Sequence, residues 1–357
     1  MFVSLNCPSA LSLCRKTVFL LAGAAVVAGS LLSAPASAAD PEKNGTETFQ
    51  RVLEKQSRAM FNAVASYVQK NPQADDVNQA YEWLFDNAVN LEIEVEALPL
   101  TEKFLQGTKF DVSNIDLKLR AEKLRGLAMM KLGRGEEAYE ILENQLSATP
   151  FRATETSLEF ALALATQGQL EGDLETTRRV YERLAESNQI GPQIRAYAMS
   201  RLDRLDFAGK PAPAVNAKDI EGKQVDLADY RGKVVLIDFW ATWCGPCLAE
   251  LPNLQQIYKD YHDQGFEVIA ISLDDDAETV RDFQKRRDLP WRMVMDTDGA
   301  GGDLTEVYNV SGIPAFFLVD QTGKIVNVDL RGDDLRKAVK RLVTSPAAGK
   351  KVSATDR

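Results

Sequence analysis

At 357 residues, with 45% hydrophobic and 26% charged side chains, the chain is long for a single core and ordinary for a folded protein. That balance argues for two domains and against wholesale disorder. The formal charge is −10; residues 1–39 hold Arg15 and Lys16 and no acid, so the remainder carries 40 basic against 52 acidic side chains, −12. An acidic surface repels phosphate backbones, and no Lys/Arg tract is interleaved with aromatics, so no nucleic acid is expected as a partner.

The N-terminus reads as a targeting segment. Arg15-Lys16 precedes an apolar run from Thr17 to Leu32, followed by Ala34-Pro35-Ala36-Ser37-Ala38-Ala39. Such a pattern fits a secretory signal over residues 1–38 that is cut after Ala38, and it predicts export to the periplasm or cell envelope. The run of about 16 residues is shorter than the ~20 that span a bilayer. The alternative is an uncleaved signal whose residues 17–32 anchor the protein to the membrane. Cys14 lies before the apolar run and follows a Leu, which argues against lipidation.

Residues 40–206 are expected to form an all-α domain, because apolar side chains recur at three- and four-residue spacing. Asn71-Pro72-Gln73 and Pro99 are the expected breaks between the early helices. From Leu117 onward, Gly126, Gly133, Ala138, Leu142 and Pro150 fall at spacings resembling the tetratricopeptide helix-turn-helix repeat. Residues 158–189 repeat the pattern less well, with Gly168 and Gly172 near the turn and Tyr181 and Leu184 on the second helix. Gln145 stands where that repeat favours a small residue. The other reading is an irregular helical bundle. Hairpins curving into a groove would offer a surface for a partner protein.

Gly209-Lys210-Pro211-Ala212-Pro213-Ala214 has the composition of a linker or the lead into a strand. Beyond it, over residues 209–343, short apolar runs alternate with amphipathic stretches, which predicts an α/β domain. A hairpin is expected over 215–227, turning at Glu221-Gly222-Lys223. Strands are expected over 234–240 and 266–272, helices over about 244–264 and 277–287. A terminal hairpin over 315–319 and 324–329 and a helix over 333–343 complete the domain. Residues 345–357 read as a disordered tail.

Cysteine usage narrows the chemistry. Of four cysteines, Cys7 and Cys14 sit in the presumed signal, leaving Cys244 and Cys247. A pair closing so small a loop constrains the unfolded chain little, so it is not a staple. The two cysteines stand where a buried strand ends and a helix begins. Unpaired backbone N–H groups and the helix dipole there stabilise a thiolate. Cys244 is thus suited to attack a disulfide, and Cys247, one turn inward, to resolve the mixed disulfide. Zinc would need about four ligands, and a mature chain offers two cysteines and one histidine, His262. No metal and no organic cofactor are expected. His262 reads as a solvated residue on the polar side of its helix.

Asp238-Phe239-Trp240-Ala241-Thr242-Trp243-Cys244-Gly245-Pro246-Cys247 resembles thioredoxin, and Leu248-Ala249-Glu250-Leu251-Pro252 resembles the TlpA/ResA branch of exported thiol-disulfide oxidoreductases. The resemblance spans about residues 209–343 and leaves the helical region uncovered. It implies a thioredoxin-like fold with an added N-terminal hairpin and dithiol-disulfide exchange on protein disulfide substrates. It also implies a membrane electron donor of the CcdA/DsbD type, with cytochrome c maturation as one role. Asp238 matches that family's buried acid near the inner cysteine; burial there raises a carboxyl pKa and lets it exchange a proton with Cys247. Glu250 matches a second acid, against the alternative of a solvated helix glutamate. Pro314, in Gly312-Ile313-Pro314-Ala315, matches the cis-proline facing the site, and the Ile313 backbone would then pair with substrate. Gly245-Pro246 between the cysteines resembles reducing thioredoxin, which implies a reductant of protein disulfides, and Trp243, Gly245 and Pro246 are expected to position substrate. Pro252 is expected to kink the helix, Trp240 and Trp243 to pack, and Trp243 also to cover the sulfurs.

Two other functions compete. A peroxiredoxin-like peroxidase needs Pro and Thr or Ser seven and three residues before its reactive cysteine. Ile237 and Ala241 precede Cys244 at those places, and Trp240 and Cys244 precede Cys247. In the second alternative the helical region is a partner-binding scaffold and the redox site an accessory.

Overall fold

A computed structural model of the chain describes residues 49–148, 154–188, 190–296 and 303–345. The signal segment, Pro150 and the tail beyond Ser345 lie outside the described residues. The chain divides into two units, Met1–Leu53 and Glu54–Arg357, and the second contains the whole sheet together with Cys244 and Cys247.

Eight helices come first among the described residues: α1 Phe49–Lys70, α2 Val77–Asn90, α3 Glu94–Gly107, α4 Ile115–Lys131, α5 Gly135–Ala148, α6 Thr154–Glu171, α7 Leu174–Glu186 and α8 Pro192–Leu205. The early ones gather around Leu84, Phe85, Phe104 and Leu124. Pro72 falls in the break between α1 and α2, but Pro99 lies inside α3. A proline there removes the N–H that would reach the Val95 carbonyl, and Val95 is exposed, so water can satisfy that oxygen.

Two hairpins, α4–α5 and α6–α7, turn on Gly133 (φ 72°) and Gly172 (φ 81°), left-handed positions that favour glycine. Close helix approach explains two further glycines. A Cβ on Gly126 would stand 2.2 Å from the ring of Phe160, and one on Gly168 would stand 2.4 Å from Thr177 Oγ1. The two turn glycines are separated by more than the ~34 residues of a tetratricopeptide unit. Gln145, out of place for such a repeat, is buried and bonds the Leu119 carbonyl, Glu122 and Ser157, tying α4, α5 and α6.

The C-terminal part is a thioredoxin-like α/β domain. Its five-stranded mixed sheet has the order β5-β4-β3-β6-β7, with β3 Val234–Trp240, β4 Phe266–Ser272, β5 Arg292–Met295, β6 Ala315–Val319 and β7 Ile325–Val328. β3 runs parallel to β4 and antiparallel to β6, and all seven of its residues are buried, as a central strand requires. A small hairpin, β1 Asn216–Lys218 and β2 Gln224–Asp226, precedes the sheet. Helices α9 Gly245–Tyr261, α10 Ala277–Arg287 and α12 Gly332–Thr344 pack with Val234, Leu236 and Trp240 of β3. Short α11 Leu304–Val307 comes after β5 in the chain.

The other face of β3, formed by Val235, Ile237 and Phe239, belongs to a core that continues through Tyr308 and Phe317 to Leu205, Ala198, Tyr181, Phe160 and Leu142. Helical region and sheet therefore share one hydrophobic core. Gly209-Lys210-Pro211-Ala212 is the lead into a strand rather than a free linker: Gly209 N–H bonds the Ile325 carbonyl, Ile325 N–H bonds Lys210, and Ala212 N–H bonds Gly323. Gln169 of α6 completes the cover of this sheet edge. Its side-chain oxygen accepts the Val328 N–H, and its carbonyl accepts from Asn327. The free edge of β7 is thereby closed against a second chain.

Candidate active site

Cys244 is the N-cap of α9, and Cys247 lies one turn inside it. The two are joined in a disulfide with Cα atoms 5.3 Å apart, and Cys244 Sγ accepts the Cys247 N–H at 3.2 Å. A sulfur so placed takes up one of the unpaired donors at a helix start and sits at the positive end of the dipole. The turn before it is held by Asp274, whose carboxylate accepts the Thr242 N–H at 2.9 Å and its hydroxyl at 2.6 Å, while Ser272 bonds the same carboxylate. Both cysteines are buried, whereas Gly245 and Pro246 are exposed. Trp240 packs against Phe283 as expected. Trp243 does not pack: it is 66% exposed and presents its indole to solvent beside the dithiol.

Side chains alternate along β3, so Asp238 shares a face with Leu236 and Trp240, the face whose core includes Cys244 and Cys247. Its Oδ1 is buried without a hydrogen-bond partner. Burial pushes the Asp238 carboxyl up to about 8, the nearby Arg331 guanidinium pulls it down, and the Glu250 charge adds to the rise. Glu250 is not a solvated helix glutamate: one oxygen accepts the Gly332 N–H at 2.7 Å and the Asn253 amide at 2.6 Å, fastening α9 to the start of α12. The Ile313–Pro314 bond is cis. Pro314 is buried, Ile313 is half-buried, and the Pro314 carbonyl accepts from the Arg331 guanidinium at 2.7 Å.

Residues 207–343 match the Redoxin family. ResA, a thiol-disulfide oxidoreductase of Bacillus cereus, is 33% identical over 159 residues, which make up 44% of this chain and 89% of that protein. This chain belongs to the ResA family of thiol-disulfide oxidoreductases. Bacillus thuringiensis ResA is 36% identical over 129 residues, 36% of this chain and 72% of that one. Among solved structures, the thioredoxin domain of a thiol-disulfide oxidoreductase from Bacteroides vulgatus is 37% identical, covering 38% of this chain and 97% of that chain with a TM-score of 0.36.

In this ResA-family chain several charged residues around the dithiol turn and the Pro314 loop escape sequence reasoning. Asp274 lies in a run of three aspartates that looks like an ordinary solvated turn. Arg331 stands at the N-cap of α12, where a cation is unusual against the helix dipole; that misplacement is the available signal. Burial, and after it the neighbouring Arg201, lower the Arg331 pKa. Asp329, two residues earlier, has a left-handed backbone (φ 57°) and a side chain 2% exposed. It pairs with Arg201 and Arg204, both from α8 and both buried. Burial lowers Arg204 to about 10, with the Arg201 and Arg331 charges acting the same way.

Proposed function

We propose that this protein is an exported reductase of protein disulfides. In the reduced enzyme the Cys244 thiolate attacks one sulfur of a substrate disulfide, forming a mixed disulfide and releasing the other sulfur as a thiolate that takes up a proton. Cys247 then gives up its proton and attacks Cys244 Sγ, which releases the second substrate thiol and leaves the Cys244–Cys247 disulfide. Two electrons pass to the substrate, and a membrane dithiol donor of the CcdA/DsbD type returns them. The observation that carries the reading is the disulfide itself, with its outer sulfur accepting the Cys247 N–H in the first turn of α9.

Asp238 exchanges a proton with Cys247 in this scheme, the ionised fraction of its carboxyl taking up the thiol proton. A carboxyl raised to about 8 is, once ionised, a stronger base toward a thiol than an ordinary aspartate. The Ile313 backbone before cis-Pro314 pairs with the extended substrate, and Trp243, Gly245 and Pro246 form the exposed surface it meets. Glu250 holds the α9–α12 junction. Gly-Pro between the cysteines resembles reducing thioredoxin, at about −270 mV. Cytochrome c maturation is one role for such a reductant in the cell envelope. The scaffold alternative fits less well, because α6 and α8 use polar side chains inside the redox domain.

The test is the Cys244–Cys247 potential by equilibration with glutathione and dithiothreitol, together with a Cys247→Ser trap on envelope extract. A potential near thioredoxin's and mixed disulfides through Cys244 are expected. A value above about −150 mV would remove the reductant assignment.

A further inference from the structure

Where the loop through Pro314 enters β6, three backbone groups of Pro314 and Phe316 end at one corner. The Pro314 carbonyl accepts from Arg331 at 2.7 Å. The Phe316 N–H donates to Asp329 Oδ1 at 3.2 Å, and the Asp329 N–H donates back to the Phe316 carbonyl at 2.8 Å. At the start of the loop, Ser311 Oγ lies 3.5 Å from Ser200 Oγ on α8.

Asp329 is held from the helical region. Its Oδ2 meets both guanidinium groups of α8, those of Arg201 and Arg204. Arg204 also donates to Ser200 Oγ at 2.8 Å, and the Arg201 guanidinium lies 4.6 Å from the centre of the Tyr197 ring. Tyr197, Ser200, Arg201 and Arg204 thus fall on one helical face, at three- and four-residue spacing, and that face is turned to the loop. Pairs this well buried act as a unit, because removing one partner leaves a charge uncompensated.

We infer that Arg201 and Arg204 are positioning residues for the substrate-pairing loop, so that α8 is part of the redox site rather than an attachment to it. The inference rests on the proposed pairing of substrate with the Ile313 backbone. Without the two guanidiniums, the Asp329 carboxylate is left buried and charged. The cation it can turn to is Arg331, two residues away, whose Nε is buried without a partner. Arg331 drawn to Asp329 releases the Pro314 carbonyl, and the loop loses its anchor on the dithiol side. A helix outside the thioredoxin-like domain thereby sets how well an extended polypeptide is held, while the sulfurs themselves are unaffected.

The experiment uses the full chain with the double variant Arg201→Met/Arg204→Met, the two single Met variants and the charge-retaining Arg204→Lys. Each reduced protein is presented with insulin, a polypeptide disulfide, and with 5,5′-dithiobis(2-nitrobenzoate), a small disulfide without a backbone to pair. For the double Met variant the insulin KM rises about tenfold or more, within the ~100-fold that a small misplacement can cost. The small-disulfide rate changes less than about twofold, and Arg204→Lys recovers most of the insulin KM. Wild-type kinetics on insulin in the double Met variant would overturn the inference. So would an equal loss on both disulfides, the mark of a role in stability alone. A wild-type protein inert to both would overturn the functional reading on which the inference stands.

Discussion

Asp238→Asn separates the electrostatic account of the site from a purely steric one. In the folded protein the Asp238 carboxyl is raised from an ordinary 3.8 to about 8, chiefly by burial. The folded state therefore keeps a proton that the unfolded state has lost at every pH between those values. Its contribution to stability is fully present below about 3.8 and is lost progressively as pH rises through 8. Each pH unit in that window is worth about 1.4 kcal/mol, so the ceiling across it is about 5–6 kcal/mol. Asparagine has nearly the same shape, carries no charge at any pH and incurs none of this loss. The measurement is urea unfolding of the oxidised wild type and variant at whole pH steps from 5 to 9, with the disulfide intact. Near pH 5 the two should differ by the charge cost of little more than one pH unit. The variant should then gain on the wild type by up to about 1.4 kcal/mol per pH unit and level off above pH 8. Parallel curves from pH 5 to 9 would refute the reasoning, since they would mean that the carboxyl titrates alike in both states.

Three further outcomes are expected. Arg331→Met removes the one cation that opposes the Asp238 rise and the donor to the Pro314 carbonyl; the pH-dependent loss of stability from Asp238 should then extend to higher pH, read from the same titration. Glu250→Gln keeps an oxygen for the Gly332 and Asn253 donors and should cost less than about 1 kcal/mol, whereas Glu250→Ala should cost about 1–3 kcal/mol in urea unfolding. Gly126→Ala places a methyl 2.2 Å from the ring of Phe160, which is fully buried. Overpacking of about 1–3 kcal/mol outweighs the ~1 kcal/mol helix-propensity gain or cancels it, so urea unfolding should show no stabilisation from a substitution that stabilises most helices.

Legibility in the sequence tracks the range of the interactions concerned. The dithiol is legible because strand, turn and helix start are contiguous, and so is Asp238, an acid inside the apolar run 234–240. Strand β5 is not: it is four residues long, and only its pairing with β4 and the bridge from Asp219 to Val294 make it a strand. The expectation that Trp243 packs rests on indoles usually being buried, whereas this one, just before the N-cap of α9, is 66% exposed. The charged corner is hidden for a stronger reason, since Arg204 and Asp329 are 125 residues apart and each is locally unremarkable.

That corner also bears on why the helical region precedes the redox domain at all. Three guanidiniums, Arg201, Arg204 and Arg331, gather near the Pro314 loop of a chain whose formal charge is −10. Against them stand the carboxylates of Asp329 and Glu250, while Asp238, raised to about 8, is mainly protonated at neutral pH. The local balance is therefore positive, opposite in sign to the whole. Two of the three positive charges come from α8. The helical region thus joins the redox domain by charge as well as by shared core, since the Asp329 carboxylate, buried in the C-terminal part, finds both of its guanidinium partners on α8.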